Sequence, residues 1–108
     1  MNNPFPRKMA LLFEEEGYVN NFTYGMRKEL LKRNNKLYSL ELSFSTTFDL
    51  ISLDIYDINK MPTNSICFYC VNIDFSSDLE LKELVKNIES SIETFLLMEE
   101  FIFLNNNQ

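Results

Sequence analysis

The most reactive side chains in this sequence are two cysteines spaced as CxxC, in Cys67-Phe68-Tyr69-Cys70. A redox pair of that spacing works when a helix N-terminus holds one thiol as its thiolate. A structural zinc site needs four sulfur or nitrogen ligands. Neither condition is met by the pattern here. The pair sits in an apolar stretch that reads as a strand, where positions i and i+3 face opposite sides. The sequence has no histidine and no third cysteine, so such a zinc set cannot be completed. The same absence removes catalytic triads and histidine acid–base chemistry. Gly17 and Gly25 are the only glycines, which leaves no glycine-rich phosphate loop. The cysteines are read as two buried small hydrophobes. No enzyme activity, metal or other cofactor is expected.

The remaining chemistry is electrostatic. Residues 1–36 carry seven basic side chains against four acidic ones, and residues 37–108 carry twelve acidic against three basic, for a net charge of −6. An acidic body repels nucleic acid and attracts basic protein surfaces. The cluster Arg27, Lys28, Lys32, Arg33 and Lys36 has the ordinary look of a solvated helix face, so direct nucleic-acid binding is not expected. The carboxylates are more ordered. Glu41, Asp54 and Asp74 take polar positions in alternating stretches, together with Ser39, Ser43, Ser52 and Asn72. No cation is expected on that face. Asp49, Asp57 and Asp78 fall at element ends beside it. Such an array presents negative charge to a basic cleft, as a nucleic-acid mimic does. The same oxygens would suit Mg²⁺, but no DxD spacing accompanies them.

The elements that must carry these residues follow from hydrophobic period. Residues 1–6 read as an extended arm, with Pro4 and Pro6 holding it open. Residues 7–16 read as a short helix, with Met9, Leu12 and Phe13 at helical spacing and Gly17 placed as the left-handed residue after its end. Residues 22–33 are ambiguous. The run MRKELLKR favours helix by propensity, and a helix over about 24–33 is the preferred reading. The competing reading is a strand turning at Asn34-Asn35, tried with two- and three-residue connections. Residues 38–45 alternate strictly, Thr46-Thr47 reads as a tight turn, and residues 48–58 alternate again with a phase slip at Leu50-Ile51 that suggests a bulge. Residues 59–65 read as a loop and 66–75 as a third strand, apolar on both faces in its first half, so that both faces need cover.

Ser77-Asp78-Leu79-Glu80 is a capping box. It opens a helix from 78 to about 98, with a possible extension to 104. Leu81, Leu84, Val85, Ile88, Ile92, Phe95 and Leu96 form one stripe on it, with Glu99 in the middle of that stripe. Leu97, Phe101 and Leu104 lie on the opposite side and would mark a protein contact or dimer seam. Residues 105–108 read as a frayed tail.

The expected architecture is α+β in one domain over 1–108. It has an antiparallel sheet of three to four strands, N-terminal helical segments, and a long C-terminal helix packed on one face. No apolar run is long enough for a membrane span, and the N-terminus does not read as a signal peptide. Phe, Tyr, Met, Ile, Asn and Lys supply 48 of the 108 residues, the bias of an AT-rich genome. A cytoplasmic location is expected, in a low-GC bacterium or a phage-infected host cell. Taken together, these features suggest a small acidic inhibitor that binds a basic, nucleic-acid-handling protein. An anti-defence protein of the anti-CRISPR kind, encoded by a phage or mobile element, has this general look. Glu41, Asp49, Asp54, Asp57 and Asp74 would contact the partner. The alternative is a homodimeric interaction module, such as an immunity protein or a secretion-type chaperone, joined through Leu97, Phe101 and Leu104.

Overall fold

In the computed structural model of the chain, residues 5–21, 25–31, 37–57 and 62–106 are described. The element order is α1 (Arg7–Glu15), β1 (Val19–Asn21), β2 (Gly25–Leu31), β3 (Leu37–Ser45), β4 (Leu50–Asp57), β5 (Pro62–Tyr69) and α2 (Asp78–Asn106). The fold is α+β, as the sequence implies, with one short N-terminal helix and one long C-terminal helix. The five strands form a single antiparallel meander in the order β1-β2-β3-β4-β5. Both helices pack on one face of it. The sheet therefore has five strands where three to four were expected.

The difference lies first in residues 25–31, which form a strand rather than the expected helix. Helix propensity is a weak prior, and tertiary packing overrides it here. Met26 is fully buried on the helix-covered face. Lys28, on the same face, lies with its amine 5.4 Å from the centre of the Tyr18 ring and donates to the Glu16 carbonyl at 2.7 Å. The register pairs Leu31 with Leu37 and Arg27 with Glu41, which leaves a five-residue connection. A two-residue connection would set Glu29 opposite Leu40 and a three-residue one opposite Glu41; the longer connection sets Arg27 opposite Glu41 instead. The expected turn at Asn34-Asn35 lies outside the described residues.

β5 is also displaced from the expected 66–75. It spans Pro62–Tyr69, and residues 70–77 form a turn-rich connection to α2. The expected bulge at Leu50-Ile51 is absent, since both residues pair regularly with β3 and β5. The irregularity falls at Ile55/Tyr56, where Tyr56 meets Pro62 and Thr63 is the extra residue. Proline at the start of an edge strand removes no ladder donor from the sheet interior. The turn between β3 and β4 spans Thr46–Asp49, longer than Thr46-Thr47, and Asp49 takes a positive φ of 48°, which aspartate tolerates.

The core lies between the sheet and the helices. Leu40, Leu42, Ile51, Leu53 and Ile55 from the sheet meet Met9 and Phe13 of α1 and Leu81, Ile88 and Ile92 of α2. Phe5, expected in a free arm, is buried. Its ring meets Phe13 edge-on at 6.0 Å and Phe44 at 5.8 Å. Gly17 ends α1 with φ 99°. Ser77 caps α2 by accepting from the Glu80 amide at 3.3 Å. The Glu80 carboxylate accepts from the Asp74 amide at 3.2 Å, so the reciprocal arm of the box reaches further back than the motif implies. Leu96 is the last stripe residue held in the core.

Candidate functional site

Among the described residues, no helix covers the second face of the sheet. Pairing fixes its side chains row by row, because directly opposed residues point to the same side. One row runs Val19, Arg27, Glu41, Asp54, Ser65 across all five strands. Beside it run Glu29, Ser39 and Tyr56 in one direction, and Ser43, Ser52 and Cys67 in the other. Tyr69 closes the far corner and is 71% exposed.

Glu41 and Asp54 sit directly opposite one another on β3 and β4. Like charges in that position destabilise a sheet. Neither carboxylate belongs to an ion pair among the described residues. Arg27 corrects the expectation of a face without cations: once β2 is a strand, its guanidinium joins the same surface. It is engaged elsewhere, however. Its Nε donates to Ser39 Oγ at 3.0 Å, and its terminal nitrogen lies 3.5 Å from Glu29. Tyr56 lies beside the pair. Partial burial, then the Asp54 and Glu41 charges, then a hydrogen bond with Glu41, push its phenol above the usual range. The centre of the face is thus two carboxylates, neither ion-paired among the described residues, and a tyrosine.

The other expected contact residues are not part of this centre. Asp49 is in the β3–β4 turn, where its carbonyl accepts from the Cys70 amide. Asp74, expected on the sheet, lies in the connection to α2. Its carboxylate accepts from the Ser76 amide at 2.9 Å and the Ser76 hydroxyl at 2.6 Å, and those bonds hold it below the usual carboxylate range. It is a turn-forming residue, and Asn72 lies in the same connection. The side chain of Asp57 lies outside the described residues, as do Lys32, Arg33 and Lys36. The cysteines separate: Cys67 is exposed on the open face and Cys70 is buried in the turn, so the expectation of two buried thiols holds for one only. Only one face of the 66–69 segment is covered. Among the described residues, no three metal-ligating side chains cluster. Nor is any helix long and apolar enough to cross a membrane.

Two features escaped the sequence. The first is a buried polar contact under the sheet edge. Tyr18 Oη and Glu89 Oε1 are both buried, and neither completes a hydrogen bond of ordinary geometry. Burial, then the Glu89 charge, drives the Tyr18 phenol far up. Burial likewise raises Glu89, against opposing pulls from Tyr18 and Lys28. The second is a groove of about 430 Å³ between β5 and the first turns of α2. At the far end of α2, Leu97 and Phe101 are 63% and 67% exposed and Met98 is exposed beside them; the Leu104 side chain lies outside the described residues.

Compared with known proteins, the chain matches no family model, no curated protein and no solved structure.

Proposed function

We propose that this protein is a non-enzymatic binding module whose open sheet face covers a basic surface of a partner protein. The particular form proposed is an inhibitor that occludes the nucleic-acid channel of a host protein, as an anti-defence protein of the anti-CRISPR kind would. One observation carries the reading: among the described residues, Glu41 and Asp54 face each other without an ion pair at the centre of a sheet face that no helix covers. A fold that retains a like-charge cross-strand pair gives up stability at that point, and a cationic partner recovers it. The net charge of −6 adds long-range attraction of the same sign. The test is a tagged pull-down from a low-GC bacterial lysate containing defence complexes, eluted with a salt gradient. A nucleic-acid-handling protein released by moderate salt, and lost when Glu41→Lys and Asp54→Lys are combined, supports the proposal. Tight capture that ignores salt and both substitutions overturns it.

A second reading rests on a different observation. Leu97, Met98 and Phe101 are exposed on α2 beyond Leu96, its last core-held residue among the described ones, which is the signature of a contact surface. On that reading the chain is a homodimeric interaction module, an immunity protein or secretion-type chaperone in kind. Light scattering decides it: a dimer that the pair Leu97→Asp, Phe101→Asp converts to a monomer supports the seam.

A further inference from the structure

We propose that β5 is a docking edge, to which an extended segment of a partner protein, with basic and apolar side chains in alternation, adds as a sixth strand. This goes beyond the open-face reading and uses different residues. Three observations meet here.

First, β5 is the terminal strand of the sheet and pairs only with β4 among the described residues. The Cys70 amide donates to the Asp49 carbonyl, which makes Leu50–Tyr69 a non-hydrogen-bonded pair. Alternation then turns the amides and carbonyls of Cys67 and Tyr69 outward from the sheet. Second, β5 reads PTNSICFY, eight residues without one charge. Edge strands are normally blunted by lysine or inward-facing charge. Here Pro62 and the bulge at Thr63 do so, both at one end. The opposite edge, β1, is three residues long and offers little to pair with.

Third, the groove alongside has a defined chemistry. Phe68, Ile73 and Leu84 supply apolar surface, and Glu80 and Glu83 supply negative charge. Lys82 and Lys86 line a separate depression on the other side of α2, and among the described residues no lysine or arginine lines this groove. A strand laid on β5 sends alternate side chains into it. Lysine or arginine fits best, with its stem on the apolar surface and its head at the carboxylates. The intervening side chains fall on the open face beside Tyr69, where apolar groups find cover. A second copy of this chain fits less well, because its own β5 brings no cation to Glu80 and Glu83. Strand addition of this type takes affinity from main-chain bonds and specificity from alternate side chains.

The probe is an acetylated, amidated Val-Lys octapeptide with strict alternation, compared with the same residues as a Val block followed by a Lys block. Binding is read by fluorescence anisotropy and amide exchange. The alternating peptide is expected to bind saturably, at least tenfold tighter than the block peptide. It should slow exchange at Cys67 and Tyr69. Glu83→Lys, an exposed change, should weaken it at least tenfold at unchanged Tm. The Glu41→Lys, Asp54→Lys protein should still bind it, which separates this site from the open face. Equal binding of both peptides, protection confined to other strands, or indifference to Glu83→Lys overturns the proposal. So does a free protein that is dimeric with Cys67 and Tyr69 already protected, because the occupant would then be a second copy.

Discussion

At the scale of single residues, the open face makes a stability prediction opposite in sign to its binding prediction. Glu41→Gln removes a like-charge opposition and should raise stability by about 0.5 kcal/mol, measured by urea denaturation. The same change should weaken capture of a basic partner. Arg27→Ala should strengthen that capture severalfold, because it removes the one described cation of the row. The Tyr18–Glu89 contact predicts a pH dependence. Both groups hold their protons more tightly folded than unfolded. For Glu89, the folded form binds more protons once pH rises above its unfolded pKa near ~4.3, so stability falls with rising pH through that window. Glu89→Gln should therefore stabilise the protein at pH 7, with the gain shrinking toward pH 4. For Tyr18 and Tyr56, nothing changes until about pH 10, where the unfolded phenols ionise first; above it stability is lost. Tyr18→Phe should flatten that alkaline limb in denaturant midpoints measured against pH.

At the scale of elements, what could be read in the sequence followed the strength of the periodic signal. The strand at 38–45 and the α2 stripe from Leu81 to Leu96 were legible because each alternates or repeats without interruption. Residues 25–31 were not. Their side chains favour helix, and only the partner strand, with Glu41 opposite Arg27, reveals the pairing that wins. The missing information was the length of the connection, which shifts every cross-strand partner at once. That error carried into the site, because a helix at 25–31 leaves the carboxylate face without Arg27. The end of β5 is masked in the sequence by apolar residues continuing through Val71 and Ile73, which suggest a strand reaching Asp74, whereas β5 ends at Tyr69. Gly25 carries the cost of that close strand pairing. Its φ is 116°, and a Cβ there would collide with the Leu42 carbonyl oxygen and come within 2.9 Å of the Phe5 ring. Gly25→Ala should cost about 3 kcal/mol or more, seen as a lower urea midpoint. Ser77→Ala should cost about 1 kcal/mol through loss of the α2 cap.

At the scale of the whole molecule, the principal extents are 49 × 27 × 25 Å, and a helix of 29 residues spans about 43 Å at 1.5 Å per residue. The long axis of the molecule is thus comparable to the length of α2, and the side chains of Leu97, Met98 and Phe101 are exposed. Leu97→Asp with Phe101→Asp should therefore shift stability by no more than about 0.5 kcal/mol, whatever it does to self-association. The order of the strands has a consequence of its own. Each strand pairs with its neighbour in the chain, so the sheet can assemble progressively while the polypeptide leaves the ribosome. The helix packed against Leu53 and Ile55 emerges after all five strands. Until residues 81–96 clear the exit tunnel, the nascent meander exposes its apolar side to the cell. Ribosome-bound chains stalled before that point should recruit holding chaperones, and chains released after it should not.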